Sequence, residues 1–221
     1  MAYKLIIGNK NYSSWSLRPW ILLKGFNIPF EEQCVKFNTE AFARVVPQFS
    51  PTGLVPVLID GEVIVWDSLA IGEYLAEKHA FMWPGDTTQR AIARAFCAEM
   101  HGGFGALRNR MPMNVRRKYP VTPEPEVAKN IARIEAIWTA ARRRAKTTGP
   151  YLFGAFSLVD AYFAPVVWRF NTYDVKVNPV CEEYMQTMLA HPAMKEWQAG
   201  ALAETEIEMH DEPETVFERQ P

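Results

Sequence analysis

An acid and a hydroxyl stand side by side at Asp67-Ser68, where an apolar helical pattern begins. Shortly before them runs Ser50-Pro51-Thr52-Gly53-Leu54-Val55-Pro56-Val57-Leu58, a loop that ends in a strand with a Val-Pro step at the junction. Backbone groups exposed at such a step can pair with an extended peptide as an added strand does. The Asp67 carboxylate attracts an ammonium, while the Ser68 hydroxyl and the N–H groups of the helix start favour a carboxylate. Together these residues suit a small extended peptide with a charged end. A second hydroxyl group of residues, Ser13, Ser14 and Ser16, opens an apolar stretch and supplies plausible helix N-caps.

The elements that must position these residues follow from periodicity. Tyr3-Lys4-Leu5-Ile6-Ile7 reads as a strand closed by Gly8-Asn9-Lys10-Asn11, and Trp15 to Phe26 as a mostly buried helix. Pro19 is tolerable there only in the first turn, and Asn27 suits a left-handed helix end. Phe30 to Phe37 reads as a strand and Thr39 to Val46 as a short helix. Val55–Asp60 and Glu62–Trp66 form a hairpin through Asp60-Gly61, and Asp67 to His79 a helix. The order is β-α-β-α-β-β-α. Past a linker at 81–87 the strand signals fade. Gln89 to Asn114 and Pro125 to Lys146 read as long helices, followed by Ser157–Asn171, Val180–Ala190 and Pro192–Ala203. From Glu204 onward seven acids face one arginine, the composition of a partly disordered acidic tail.

Bulk composition bounds the function. The 221 residues are 48% apolar and 22% charged with a net charge of −1, which gives no argument for nucleic acid or an anionic membrane as partner. The arginines that do cluster, Arg108 to Arg117 and Arg142 to Arg144, read as solvated helix faces. Cys34, Cys97 and Cys181 are far apart and form no metal or dithiol spacing, so reduced thiols and no metal are expected. The N-terminal apolar run is too short for a secretory signal, and no apolar segment of about 18 residues is present. A soluble, cytoplasmic protein is expected.

In this order the residues resemble the cytosolic glutathione transferase family. The resemblance implies an α/β thioredoxin-like N-terminal domain (1–80), a linker (81–87) and an all-helical glutathione transferase C-terminal domain (88–203), with the acidic tail at 204–221. It covers the chain to about residue 203 and rests on three motifs: Ser13-Ser14-Trp15-Ser16-Leu17-Arg18-Pro19, Val55-Pro56 with Asp67-Ser68, and Phe156-Ser157-Leu158-Val159-Asp160. The last is similar to the family's capping box and hydrophobic staple. In it Ser157 caps the Asp160 N–H, the Asp160 carboxylate reaches back to the Ser157 N–H, and Phe156 packs on Ala161. Its role is structural.

The resemblance implies glutathione as co-substrate. Val55 would pair with its cysteinyl part at a cis Val55-Pro56 bond, and Asp67 and Ser68 would hold its γ-glutamyl end. Leu54 stands where close relatives often carry lysine, which removes a contact to the glycyl carboxylate. A free thiol has a pKa near 8.5, and lowering it by about two units needs roughly 2.7 kcal/mol of preference for the anion. One charge-assisted hydrogen bond from a hydroxyl supplies about 1.5–3 kcal/mol and the helix N-terminus about 0.3–1 more. A serine at that helix start therefore suffices. Anchoring on Asn27-Ile28-Pro29-Phe30 lays Ser13-Ser14 on the Ser-Ser pair of the zeta class, with Trp15 replacing a neighbouring cysteine. Anchoring on Lys24-Gly25 and Trp15 moves the catalytic position to Asn11, and Tyr12 is a further alternative. Ser13 is the first choice and Ser14 the second.

The second-substrate pocket is expected between the domains, around Trp15, His101, Phe104, Arg108, Arg169 and Thr172. The glycines of His101-Gly102-Gly103-Phe104-Gly105 suggest close packing or room for a ligand, and His101 reads as a packed residue rather than a base. Zeta-class members act as maleylacetoacetate isomerases and receive the substrate carboxylate on an arginine. That position aligns with Thr172, with Arg169 one turn earlier and Arg108 and Arg110 as other candidates. Three functions remain open: a transferase acting on a small electrophile, a glutathione-dependent cis–trans isomerase, and a non-catalytic ligand- or protein-binding relative. A homodimer is implied by the family.

Overall fold

A computed structural model of the chain describes residues 3–218; the last three residues of the acidic tail lie outside them. The N-terminal part carries a four-stranded sheet of β1 (Tyr3–Ile7), β2 (Phe30–Cys34), β3 (Val57–Asp60) and β4 (Val63–Trp66), in the order β2-β1-β3-β4. β1 runs parallel to β2 and antiparallel to β3, with Leu5 opposite Leu58, and β3 turns back into β4 through Gly61 at φ +63°. Side chains alternate across a strand. Leu5 and Ile7 therefore join Leu17, Ile21, Ile71 and Leu75 of α1 (Ser14–Gly25) and α3 (Ser68–Lys78). Ile6 turns to the other face with Val35 and Val57, near the short α2 (Glu40–Val45). Both faces of the sheet are covered; the β-α-β-α-β-β-α order expected from periodicity is present, as is the thioredoxin-like domain that the resemblance implied.

α1 ends in a complete Schellman arrangement. Asn27 takes φ +54°, its N–H bonds Lys24 O at 3.0 Å, and the Ile28 N–H bonds Leu23 O at 2.9 Å. Pro19, by contrast, lies past the first turn, inside the helix. Its missing N–H leaves the Trp15 carbonyl without a helical donor, a loss that burial of nearly the whole helix between sheet and α7 outweighs.

The second part is helical: α4 (Thr87–Gly102), α5 (Gly105–Arg110), α6 (Pro125–Arg144), α7 (Leu158–Tyr173), α8 (Pro179–Ala190) and α9 (Pro192–Ala203). α7 is buried on every side except at Asn171, as a helix apolar all round must be. Trp138 of α6 packs its ring on Phe163, Phe170 and Tyr184. α7 also packs on α1 and so fixes one domain against the other. The Asp160 carboxylate receives the N–H of Ser157 at 2.8 Å, as the capping motif requires, and also that of Leu152 at 3.0 Å. Phe156 lies against Phe26 and His191.

Three expectations fail here for physical reasons. The helix expected over Gln89–Asn114 breaks after Gly102, because Gly103 and Phe104 (φ +61°) turn the chain into α5. The freed carbonyls of Met100, His101 and Gly103 converge on the Arg108 guanidinium. The tail expected to be partly disordered is instead packed through residue 218, ending in the short α10 (Pro213–Glu218). The Glu204 carboxylate accepts the N–H groups of Lys10 (2.7 Å) and Asn11 (3.0 Å). The Tyr12 hydroxyl donates to Glu212 at 2.6 Å, and Phe217 stacks on Tyr119. Part of the arginine cluster read as solvated binds this tail. Arg116 donates to Glu204 O and Glu206 O, Arg110 to Val216 O, and Arg117 pairs with Glu214.

Candidate functional site

Two adjoining cavities of about 370 and 360 Å³ share Trp15, Leu54 and Val55 as a common wall, forming one cleft between the sheet domain and the helices. Each is of a size usual for small-molecule sites. The first is lined by Val55, Pro56, Asp67, Ser68 and His101. The second is lined by Tyr12, Ser13, Ser14, Arg108, Arg169 and Asp211. The reactive and holding residues read from the sequence thus meet in one place.

The Val55–Pro56 bond is cis, as the resemblance implied. The N–H and C=O of Val55 meet no partner among the described residues and border both cavities. Across from them Asp67, at φ +74°, caps α3: its Oδ1 accepts from Leu69 N–H at 2.8 Å and Ala70 N–H at 3.2 Å. Its Oδ2 stands 3.4 Å from His101 Nε2. The other ring nitrogen, Nδ1, lies 2.9 Å from the Tyr162 hydroxyl, which is in turn 3.0 Å from Ser68 Oγ. Burial pushes the Tyr162 phenol up to about 12, so it remains protonated and able to donate. One chain of polar contacts therefore holds Asp67, His101, Tyr162 and Ser68 in register.

At the start of α1 the two serines are used differently. Ser13 Oγ donates to Ser16 Oγ at 2.7 Å, and Ser16 Oγ also receives the Gly8 N–H. Ser14 Oγ instead accepts from Arg169 Nη2 at 3.3 Å, which leaves its own proton free to donate. Arg169 is 4% exposed and its other bonds go to Met111 O and Pro165 O. Arg18 is sandwiched over the Trp15 and Tyr162 rings at 4.1 and 4.3 Å, and Arg108 also lies over Trp15 at 4.8 Å. None of these three guanidiniums forms an ion pair with a carboxylate among the described residues. Burial, with Arg18 and Arg108 nearby, lowers Arg169 to about 9, still charged at neutral pH.

Several expected positions fall elsewhere. His101 lines the cavity of Asp67 and Ser68 rather than that of Ser13 and Ser14. Phe104 and Thr172 line neither cavity: Phe104 turns the chain between α4 and α5, and Thr172 is buried with its hydroxyl on Asn114 O. Asn11 is buried between Asn114 and the Arg116 N–H, and Arg110 is held by Glu124. Tyr162, Arg18 and Asp211 were not singled out from sequence. Arg18 sat inside a quoted motif, but nothing in its spacing shows that it stays unpaired. No group of three His, Cys, Asp or Glu residues able to hold a metal occurs among the described residues, and no helix among them is long and apolar enough to cross a membrane.

The fold is that of the glutathione transferase family. Residues 12–78 match the family model for the glutathione S-transferase N-terminal domain and 124–197 that for the C-terminal domain; the chain belongs to this family. It is 27% identical over 170 residues to a probable maleylacetoacetate isomerase of Caenorhabditis elegans, covering 75% of this chain and 78% of that one. A 43% identity to dichloromethane dehalogenase of Methylorubrum extorquens spans 67 residues, 28% of this chain and 23% of that protein. A glutathione transferase homolog from Burkholderia, solved with bound glutathione, superposes with TM-score 0.67 at 24% identity over 92% of this chain and all of that one. An epsilon-class glutathione S-transferase from the housefly Musca domestica gives 0.70 at 20% identity, over 90% and 94%.

Proposed function

We propose that the protein binds glutathione, ionises its thiol and directs the thiolate at an electrophilic carbon of a small molecule. The observation that carries this reading is the unpaired Val55 backbone facing Asp67 and Ser68 across one cavity, with Ser13 and Ser14 lining the adjoining one. Val55 pairs with the cysteinyl segment as an added strand, and Asp67 and Ser68 take the γ-glutamyl ammonium and carboxylate. That placement brings the sulfur toward the N-terminus of α1. A serine hydroxyl there donates to the thiolate, the proton leaves to solvent, and the new S–C bond forms as the leaving group departs with its electron pair. Retention on immobilised glutathione together with turnover of a general electrophile tests this. No binding at millimolar glutathione sinks it, and binding without turnover of any electrophile leaves a binding protein.

A second reading is favoured by the buried Arg169 and the half-buried Arg108, which line the Ser13–Ser14 cavity as cations suited to a substrate carboxylate. In it the thiolate adds to a conjugated enone, the former double bond rotates in the adduct, and elimination returns glutathione. The similarity to a probable maleylacetoacetate isomerase supports the same reading. Turnover of maleylacetone at an unchanged glutathione level checks it. The family reading also carries a homodimer, which sedimentation equilibrium at micromolar concentration measures.

A further inference from the structure

We propose that Arg169 is a positioning residue for the thiolate: by donating to Ser14 Oγ it aims the Ser14 proton into the cleft, and Ser14 rather than Ser13 holds the sulfur anion. The inference rests on the glutathione transferase reading. It starts from the bookkeeping of protons at the two hydroxyls. Ser13 directs its proton into the protein, onto Ser16 Oγ, whereas Ser14 has a donor on its oxygen and a proton to give. A hydroxyl that accepts from a cation is polarised, and its own O–H becomes a stronger donor.

The second observation is the state of the cation. A buried guanidinium without an anion is costly, yet Arg169 is held by two backbone carbonyls and one serine and lines the cavity. The charged and titratable groups facing it are Arg18 of α1, Arg108 of α5, Tyr173 of its own helix and Asp211 of the tail. The two cations repel it, and Asp211, itself shifted upward chiefly by burial, is the carboxylate that opposes them. The surroundings of Ser14 thus hold more positive than negative charge, a field that favours an anion in the adjoining cavity. A thiolate accepting from Ser14 meets it.

The thiol–thiolate equilibrium of bound glutathione, followed by the ultraviolet thiolate band against pH in the full-length complex, tests the assignment. Arg169→Met is expected to raise the apparent thiol pKa by about one unit, a tenfold loss of thiolate per thiol below it. Arg169→Lys, which keeps the charge but not the planar fork, is expected to fall between the two. In a Ser14→Ala background the Arg169→Met shift is expected to shrink, because the arginine acts through the hydroxyl. Should Arg169→Met not fold, Arg169→Lys with and without Ser14→Ala carries the same cycle. Additive shifts, an unchanged titration in the Arg169 variants, or an effect confined to KM for carboxylate-bearing electrophiles overturns the assignment while the transferase reading stands. A native protein that binds no glutathione overturns both.

Discussion

Asp67 Oδ2 and His101 Nε2 stand 3.4 Å apart across the domain boundary, joining the first turn of α3 to the last turn of α4. The same carboxylate caps α3 through its other oxygen, so one side chain serves both the fold and the cleft.

Asp67→Asn separates those two roles. Asparagine is as good an N-cap as aspartate and tolerates positive φ, so stability is expected to stay within about 0.5 kcal/mol. The charge facing the γ-glutamyl ammonium is lost, and glutathione Kd is expected to rise roughly 10- to 100-fold, the equivalent of about 1.5–3 kcal/mol. Asp67→Ala loses the cap as well, and its φ of +74° strains alanine, so it is expected to be less stable by about 2 kcal/mol. Calorimetric titration beside thermal melts reads both. Unchanged affinity in Asp67→Asn removes this carboxylate from the site.

Leu54 borders both cavities and is 66% exposed, so a longer charged side chain fits there without burial. Leu54→Lys is expected to lower the glutathione Kd about 3- to 10-fold through the glycyl carboxylate, with the gain fading as salt rises. A gain that persists at 1 M salt comes from something other than charge.

The meeting of Val55, Pro56, Asp67 and Ser68 along one cavity was legible in sequence because it is built from local signals. Asp67 is an N-cap, Val55-Pro56 a backbone step, and the Asp60-Gly61 hairpin sets the register between them. The α1 exit at Asn27 and the carboxylate half of the capping motif at Asp160 were legible for the same reason. The different partners of Ser13 and Ser14 were not, because that of Ser14 is Arg169, 155 positions away along the chain. The same holds for Tyr162, which reaches both His101 and Ser68 only once α7 is packed. The tail misled because its acids read as solvating charge, while their counterparts lie at Arg110, Arg116 and Arg117, far upstream. Val216 and Phe217 were the apolar signal that it docks.

Glu204 shows what that docking stabilises. Its carboxylate accepts the N–H groups of Lys10 and Asn11, which have no other acceptor among the described residues, and pairs with Lys36 at 2.8 Å. Glu204→Ala leaves those donors without their acceptor and is expected to cost about 2–3 kcal/mol. Hydrogen exchange at the Lys10 and Asn11 amides is expected to accelerate well before global unfolding. Full protection of both amides in the variant means that the tail does not hold the loop.

Asp160 carries the clearest pH signature of the fold. It is fully buried, and burial raises its carboxyl from 3.8 to about 6 despite the donors from Leu152 and Ser157. The folded state therefore holds this proton more tightly than the unfolded chain between those two values. Its contribution to stability is complete below the unfolded value and is lost as pH rises through about 6. Asp160→Asn cannot titrate, so the stability difference between native protein and variant isolates this group from the other carboxyls. That difference is expected to widen in favour of the native protein on acidification from pH 7 to pH 4, by on the order of 2–3 kcal/mol. Urea unfolding at several pH values measures it, provided the slope stays constant between the two proteins. A difference that narrows on acidification means that the donors of the capping motif outweigh burial, and that the folded carboxyl lies below its unfolded value.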